Sequence, residues 1–306
     1  MFADLHLHTN CSDGKLSVAE TIKLAKENRI EFLSITDHDS VDGVKKAIQI
    51  SQECSIECVS GVELSCRNES TNISFPQDIS IHILAYNVDC DNKELRSYLR
   101  KYHSKRRIIL STLIQELTEN GFDIKYKDIS VIAGTQMRIQ DIINHVNSSF
   151  MPKENKRKCI DIANSYYHRL FLLDSPLNDA LSLIKQAGGL AVIAHAFYSY
   201  RDYDVIENSH GQVENLLDYL YELGIDGIEA YYLKFSHDQN QYLLNVALER
   251  NLLITAGSDF HGTPLRKDML NYEIEPLRRT IKLMSDINKY KNEKLATEYM
   301  QDNKRL

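Results

Sequence analysis

The sequence predicts an α/β fold: a parallel barrel interrupted by a helical insertion. Three observations carry this. Apolar strand-like runs alternate with helical patterns over residues 1–90 and again over 181–263, the signature of strand–helix units around a parallel sheet. The stretch between them is mostly helical. Clusters of His and carboxylate recur where the predicted strands end, the face on which α/β barrels carry their sites.

Residues 2–8 read as a strand, and Ser17-Val-Ala-Glu20 is a capping-box pattern that opens a helix reaching about Asn28. Glu31 to Thr36 reads as a strand and Val41 to Gln52 as a helix. Ile56 to Leu64 and Ile79 to Tyr86 read as strands. In the second, Ile79, Ile81 and Ile83 alternate with Ser80, His82 and Leu84. A long helix follows from Glu94 to Asn120, with Leu95, Leu99, Tyr102, Leu110, Leu113 and Leu117 recurring at helical spacing, and Gly121 ends it. Residues 122–180 read as helical or irregular. Alternation then resumes: helix 177–187, strand 190–195, helix 213–223, strand 225–231, helix 238–250, strand 252–258, and a last helical stretch over about 276–303. The expected organisation is a discontinuous barrel (1–92 and 181–275), an insertion (93–180) and a C-terminal helix (276–306).

The chain has 306 residues, 43% apolar and 26% charged, enough for a sizeable core. Its 36 Lys and Arg against 43 Asp and Glu give −7. That balance argues against a protein that coats nucleic acid, which needs surplus cations, but not against a small phosphorylated substrate. No run of 18 apolar residues suggests a membrane span, and the start, Met-Phe-Ala-Asp-Leu-His, has no secretory pattern. Six irregularly spaced Cys without a C-x-x-C pair read as free thiols in a reducing cytoplasm. Two basic clusters in the insertion, Lys101, Lys105, Arg106, Arg107 and Lys153, Lys156, Arg157, Lys158, read as solvated faces or as a cationic rim for an anion.

The strongest chemical signal is Asp4-Leu-His6-Leu-His8-Thr9. Strand side chains alternate, so Asp4, His6 and His8 share one face, and two imidazoles at i, i+2 can grip one metal. Ser12-Asp13-Gly14 follows. Thr36-Asp37-His38-Asp39 puts three titratable groups at a second strand end, costly to bury without partners or a metal. Gly61-Val-Glu63, His82 and Ala194-His195 are weak alone. Gly257-Ser-Asp259-Phe-His261-Gly262 repeats the i, i+2 geometry. Mixed imidazole and carboxylate donors suit zinc, iron or manganese better than calcium or magnesium.

Together with Gly227-Ile-Glu-Ala-Tyr-Tyr232, these motifs resemble the PHP (polymerase and histidinol phosphatase) family of metal-dependent phosphoesterases. The likeness is to the stand-alone bacterial branch that includes nucleoside 3′,5′-bisphosphate phosphatases and 5′-to-3′ exoribonucleases. The resemblance implies a distorted (β/α)7 TIM-like barrel holding two or three divalent ions (Mn2+, Fe2+ or Zn2+). It implies one ion on His6, His8, Glu63 and Asp259, and a second on Glu63, His82 and His195. A third would sit on Asp13, His38 and His261. Asp4 and Asp37 would fix imidazole tautomers. The implied reaction is hydrolysis of a phosphomonoester or terminal phosphodiester of a nucleotide or short oligonucleotide, by a hydroxide bridging the metals. Three divalent ions would move the chain's −7 to about −1 and make an anion trap of an acidic protein.

The chain departs from the family's pattern outside the metal ligands. Only Arg138 remains of an expected Arg-Pro-His, and His195 is followed by Ala196 rather than Pro. Arg138 is a candidate phosphate clamp and His168 a candidate substrate contact, with His210 and His237 weaker. Competing readings are a histidinol-phosphate phosphatase, a C–N hydrolase on an amidohydrolase-like barrel, and a metal-stabilised module without catalysis.

Overall fold

The computed structural model describes residues 2–70, 75–129, 137–201, 204–262 and 277–287. Strand β1 (Ala3–Leu7) leads through helix α1 (Val18–Glu27) to β2 (Phe32–Ile35), then through α2 (Val44–Glu53) to β3 (Glu57–Arg67) and β4 (Ser80–Tyr86). The capping box forms as its residues predict: Ser17 Oγ accepts from Glu20 N at 3.3 Å, and the Glu20 carboxylate accepts from Ser17 N at 2.8 Å. After the insertion come β5 (Ser175–Pro176), α7 (Leu177–Gln186), β6 (Leu190–Ile193), β7 (Tyr198–Arg201) and β8 (Asp204–Glu207). Helix α8 (His210–Glu222), β9 (Gly227–Tyr232), α9 (His237–Glu249) and β10 (Leu253–Gly257) complete the series.

Seven strands pair in the order β1-β2-β3-β4-β6-β9-β10, and a bridge between Leu7 and Phe260 joins the two ends into a nearly closed barrel. The expected all-parallel sheet needs one correction. Strand β4 runs antiparallel to both β3 and β6. The described residues between β3 and β4 contain no helix, and a strand that returns without a crossover pairs antiparallel. The reversal has a consequence. His82 lies near the start of β4, opposite Ser65, so it reaches the same barrel mouth as the C-terminal ends of the parallel strands. The β7–β8 hairpin and β5 escape the sequence reading, because runs of two to four residues are too short for alternation to register.

Helix α3 (Lys93–Glu119), α4 (Ile139–Ser148), α5 (Lys153–Asn164) and α6 (Tyr167–Phe171) make up the insertion. At 27 residues, α3 is about 40 Å long. Leu95 and Leu99 pack into the core around the sheet. Leu110, Leu113 and Leu117 instead pack with Ile142, Val146, Cys159 and Tyr166 in a second core. Residues 277–287 are helical and press Leu277, Ile281 and Met284 against Ala3, Phe32 and Tyr86, at the barrel end opposite the polar clusters. The remainder of the expected C-terminal helix lies outside the described residues.

Candidate metal centre

The barrel mouth gathers all nine expected ligands. Glu63 is fully buried in the middle of β3. Its Oε2 lies 3.1 Å from His6 Nε2, 3.1 Å from His8 Nε2 and 3.3 Å from His38 Nδ1, and its Oε1 lies 2.9 Å from His82 Nδ1 and 3.1 Å from His195 Nε2. Asp259 Oδ1 lies 3.3 Å from His8 Nε2 and 3.6 Å from His6 Nε2. Asp13 Oδ1 lies 3.1 Å from His261 Nε2 and 3.7 Å from His8 Nδ1. Three donor groups result, each with its ligand atoms within 4.8 Å of one another: His6, His8, Glu63, Asp259; His8, Asp13, His38, His261; and His38, Glu63, His82. The groups share members differently from the expected sets: His38 stands beside Glu63 and His82 and His8 beside Asp13, while His195, expected with Glu63 and His82, falls in none of the three, its Nε2 reaching Glu63 Oε1 at 3.1 Å.

These residues fit a metal on an internal criterion. Both ring nitrogens of His8, Nδ1 of His38 and Nδ1 of His82 are buried with no hydrogen-bond partner, although carboxylate oxygens stand close by. A buried donor or acceptor without a partner costs about 1–3 kcal/mol, and a cation among them would take the lone pairs of His38, His82 and whichever His8 nitrogen carries no proton. Burial lowers His6 and His8, but Glu63, Glu229 and Asp259 beside them raise both, His8 to about 10, so a cation bound there would displace their protons. Burial alone would raise Glu63 and Asp259, but the surrounding imidazoles hold both well below the ordinary carboxylate range. Burial drives His38 down to about 3, which leaves a neutral imidazole. Donor sets of this composition suit zinc, iron or manganese.

The groups that fix the imidazoles are not the ones expected. Asp4 accepts from Ser258 N and Oγ at 3.0 and 2.6 Å and from His6 N at 3.2 Å. Asp37 accepts from Thr9 N and Oγ1 at 2.7 and 2.6 Å and from Ser12 Oγ at 2.6 Å. Both brace the backbone and hydroxyls of ligand-bearing loops; neither carboxylate makes a hydrogen bond to an imidazole ring. That task falls to Glu229 on β9, which is fully buried. Glu229 Oε1 stands 2.9 Å from His6 Nδ1, and Oε2 accepts from His195 N at 2.9 Å. An ionised carboxylate only accepts, so Nδ1 of His6 carries the proton and Nε2 is left for a metal. The carbonyls of Tyr198 and Asp259 do the same for Nδ1 of His195 and His261, at 3.3 and 2.9 Å. The backbone is left-handed at His195 and Asp259, with φ of 29° and 53°, a conformation costly outside glycine and concentrated at functional sites. Gly257 is required beside them: a Cβ there would run into His6 Cβ and Glu229 Oε1.

Above the ligands opens a cavity of about 390 Å³. Arg138 and His168, both expected contacts, line it. The Arg138 guanidinium lies 3.5 Å from Asp13 Oδ2 and 3.0 Å from Asp141 Oδ1. Arg106 alone of the two basic clusters lines the cavity among the described residues. His210 packs against Phe197 and Tyr242 instead, and His237 opens α9 away from the lining. Several lining residues escaped the sequence reading. Tyr200 of the unforeseen hairpin stacks on His82 with centroids 4.7 Å apart, and Lys234 Nζ lies 3.1 Å from Asp259 Oδ2. Tyr232, partly foreshadowed by the Gly227–Tyr232 motif, donates its hydroxyl to Asp259 Oδ2 at 2.7 Å. A Glu inside the apolar run Gly227-Ile-Glu-Ala was the one available signal for Glu229.

Comparison with known proteins agrees with this geometry. The PHP domain model matches residues 4–233. A phosphoribosyl 1,2-cyclic phosphate 1,2-diphosphodiesterase of Eggerthella lenta is 24% identical over 86% of this chain and 95% of its own. A 3′,5′-nucleoside bisphosphate phosphatase of Chromobacterium violaceum is 26% identical, covering 85% and 87%. A 5′-3′ exoribonuclease of Haemophilus influenzae is 26% identical, covering 84% and 89%. Among solved structures, one from Bifidobacterium adolescentis described as an inferred metal-dependent phosphoesterase superposes with a TM-score of 0.69 at 23% identity, covering 92% of this chain and 96% of that one. The ligand-bearing barrel mouth and the match over residues 4–233 lead to one conclusion: the chain belongs to the PHP domain family.

Proposed function

We propose that this chain is a metal-dependent phosphoesterase that hydrolyses a phosphomonoester or a terminal phosphodiester of a nucleotide or short oligonucleotide. The observation that carries the reading is the convergence of six imidazoles and three carboxylates around Glu63, six of the nine lining one cavity, with buried imidazole nitrogens that no protein group satisfies. Two or three divalent ions fit these donors: one on His6, His8, Glu63 and Asp259, one on Asp13, His38 and His261 beside His8, and one on Glu63, His82 and His195 beside His38. Ions held by these residues would supply charge neutralisation at phosphoryl oxygens and a water acidic enough to ionise near neutral pH.

The chain's own residues supply the remainder. Glu229 and the carbonyls of Tyr198 and Asp259 hold ring nitrogens toward the floor. Arg138, tethered by Asp13 and Asp141, presents a planar fork at the cavity wall that suits two phosphate oxygens. Lys234, beside Asp259, adds a second cation at the rim. The relatives named as phosphatase, diphosphodiesterase and exoribonuclease support phosphate esters as the substrate class.

The test is a screen of the purified chain with manganese supplied. Its substrates are mononucleotides, nucleoside 3′,5′-bisphosphates, short 5′-phosphorylated oligonucleotides, histidinol phosphate and a cyclic amide. Release of phosphate or nucleotide, lost on chelation, is the expected result. Cleavage of the amide with every phosphoester untouched would overturn the reading.

A further inference from the structure

Beside the metal ligands the cavity has a second wall, built where the insertion returns to the barrel. Asp39 is buried, and its carboxylate accepts from Ser65 N and Oγ at 3.1 and 2.8 Å. The Asp39 carbonyl accepts from His103 Nε2 of α3 at 2.8 Å, so its peptide is held from both sides. Asp174, just before β5, is buried as well, and its Oδ2 accepts from Ser80 Oγ at 2.8 Å. Ser65 and Ser80 lie on β3 and β4, within a few residues of Glu63 and His82, so this wall is continuous with the metal floor. Asp39, Asp78, Asp174, both serines and Arg106 all line the cavity. The wall therefore carries three carboxyl groups against one guanidinium. Tyr102 and Phe171 add aromatic surface to the same cavity.

A phosphoester held on the metals must place its leaving group along a neighbouring wall, and each chemistry fares differently on this one. Sugar hydroxyls find carboxylate acceptors at their edges and aromatic rings for their C–H faces. A second phosphate on this wall meets three carboxyls and Arg106, while the cavity's other two guanidinium and ammonium groups, Arg138 and Lys234, stand beside Asp13 and Asp259 instead. We propose that this wall is the leaving-group subsite, and that Asp174 makes it select a hydroxyl-bearing leaving group that carries no second anion. The assignment rests on the phosphoesterase reading and narrows it. Burial and the neighbouring Asp39 push the Asp174 carboxyl up to about 8, so the group offers a hydroxyl both donor and acceptor below that pH and repels a second anion as a carboxylate above it; the comparison is therefore made at pH 9.

The experiment compares kcat/KM of the manganese-loaded full chain for adenosine 5′-monophosphate, adenosine 3′,5′-bisphosphate and p-nitrophenyl phosphate, in the wild type, Asp174→Asn and Ser80→Ala. The wild type should prefer the monophosphate over the bisphosphate by at least about tenfold. Asp174→Asn should narrow that ratio by about fivefold or more, and Ser80→Ala, which loosens the carboxylate without removing it, by less. A purely structural role would depress all three esters together and leave the ratio where it was. A wild type that prefers the bisphosphate, or a ratio unmoved in both variants, overturns the subsite. Should Asp174→Asn fail to fold, the wild-type ratio and Ser80→Ala decide the matter. p-Nitrophenyl phosphate has neither hydroxyl nor second anion. Its cleavage alongside an unmoved ratio leaves the phosphoesterase standing without the subsite, whereas no cleavage of any ester removes both.

Discussion

Glu229→Gln is the sharpest perturbation of the metal centre, because it changes one atom of a residue that touches no proposed metal position. The carboxylate takes two hydrogen bonds, one oxygen facing His6 Nδ1 at 2.9 Å and the other His195 N at 2.9 Å. An amide has one accepting oxygen and one donating NH2. The His195 N–H is a fixed backbone donor, so the amide oxygen must turn to it and the NH2 must face His6. His6 can then accept at Nδ1 only as the tautomer that carries its proton on Nε2, the nitrogen that faces Glu63 and Asp259. That nitrogen can no longer bind a metal unless the tautomer reverts and a buried N–H is left against an NH2. Losing such an orienting partner costs about 10- to 100-fold in metal affinity, about 1.4–2.7 kcal/mol. The assay is manganese titration by calorimetry, paired with kcat measured across manganese concentrations. Activity at limiting manganese should fall by the same factor and recover in part at saturation. An affinity within twofold of wild type would refute the tautomer argument, even if activity were lost.

Three further outcomes follow from the same contacts. Glu63→Ala removes the carboxylate that five imidazoles surround; kcat/KM should drop by more than about a thousandfold while circular dichroism keeps the native signal, and activity within tenfold of wild type contradicts the assignment. Chelation should lower the melting temperature, and manganese restored at a hundred times its Kd should return about 2.7 kcal/mol of stability, so a melt indifferent to metal argues against the centre. Asp174 has a folded pKa of about 8, raised by burial and Asp39 above its ordinary 3.8. Its ionisation therefore opposes folding, and stability is lost as pH rises from about 4 through 8; Asp174→Asn should gain melting temperature relative to wild type between pH 5 and pH 9, where the reverse trend contradicts the shift.

What the sequence made legible divides along physical lines. Residues with period-2 or period-3.6 patterns over eight or more positions gave their elements to within a few residues, as in α3 (expected 94–120, found Lys93–Glu119). Of the nine proposed donors, His6 with His8 and Asp259 with His261 were legible from spacing, because imidazoles and carboxylates at i, i+2 on strand ends have few other uses; Glu63, His82 and His195 were weak alone and entered only through the family resemblance. Strand direction was not. Nothing in Ile79–Tyr86 distinguishes parallel from antiparallel pairing, since both faces of a barrel strand are buried and the intervening 68–79 carries no pattern. Glu229 was missed for a related reason. A carboxylate that acts by accepting from an imidazole 223 positions away leaves no local spacing to read. Tyr198 and Asp259 act on His195 and His261 through backbone carbonyls, which every residue type possesses.

Strand β3 ties the two walls of the cavity together. It runs 11 residues, against four to seven for the other barrel strands. Glu63 and Ser65 are two apart and so share a face: the first sits among the metal-site imidazoles, the second holds Asp39. Further along, Cys66 and Arg67 pair with Ser175 and Pro176 of β5. The Arg67 guanidinium donates to the carbonyls of Leu172 and Asp174, which fastens the end of the insertion to the same strand. The distance from Glu63 to Asp174 is therefore set by one continuous ladder rather than by a loop. Substitutions on α4 or α5 that leave β5 paired should change access to the cavity without moving Asp174 relative to the metals. Arg67→Ala should instead loosen Asp174 and blur discrimination between leaving groups while the ligand set stays intact. Selectivity falling together with metal affinity in Arg67→Ala would show that the two walls are not held independently of this clamp, and the β3 ladder would then not be the element that spaces them.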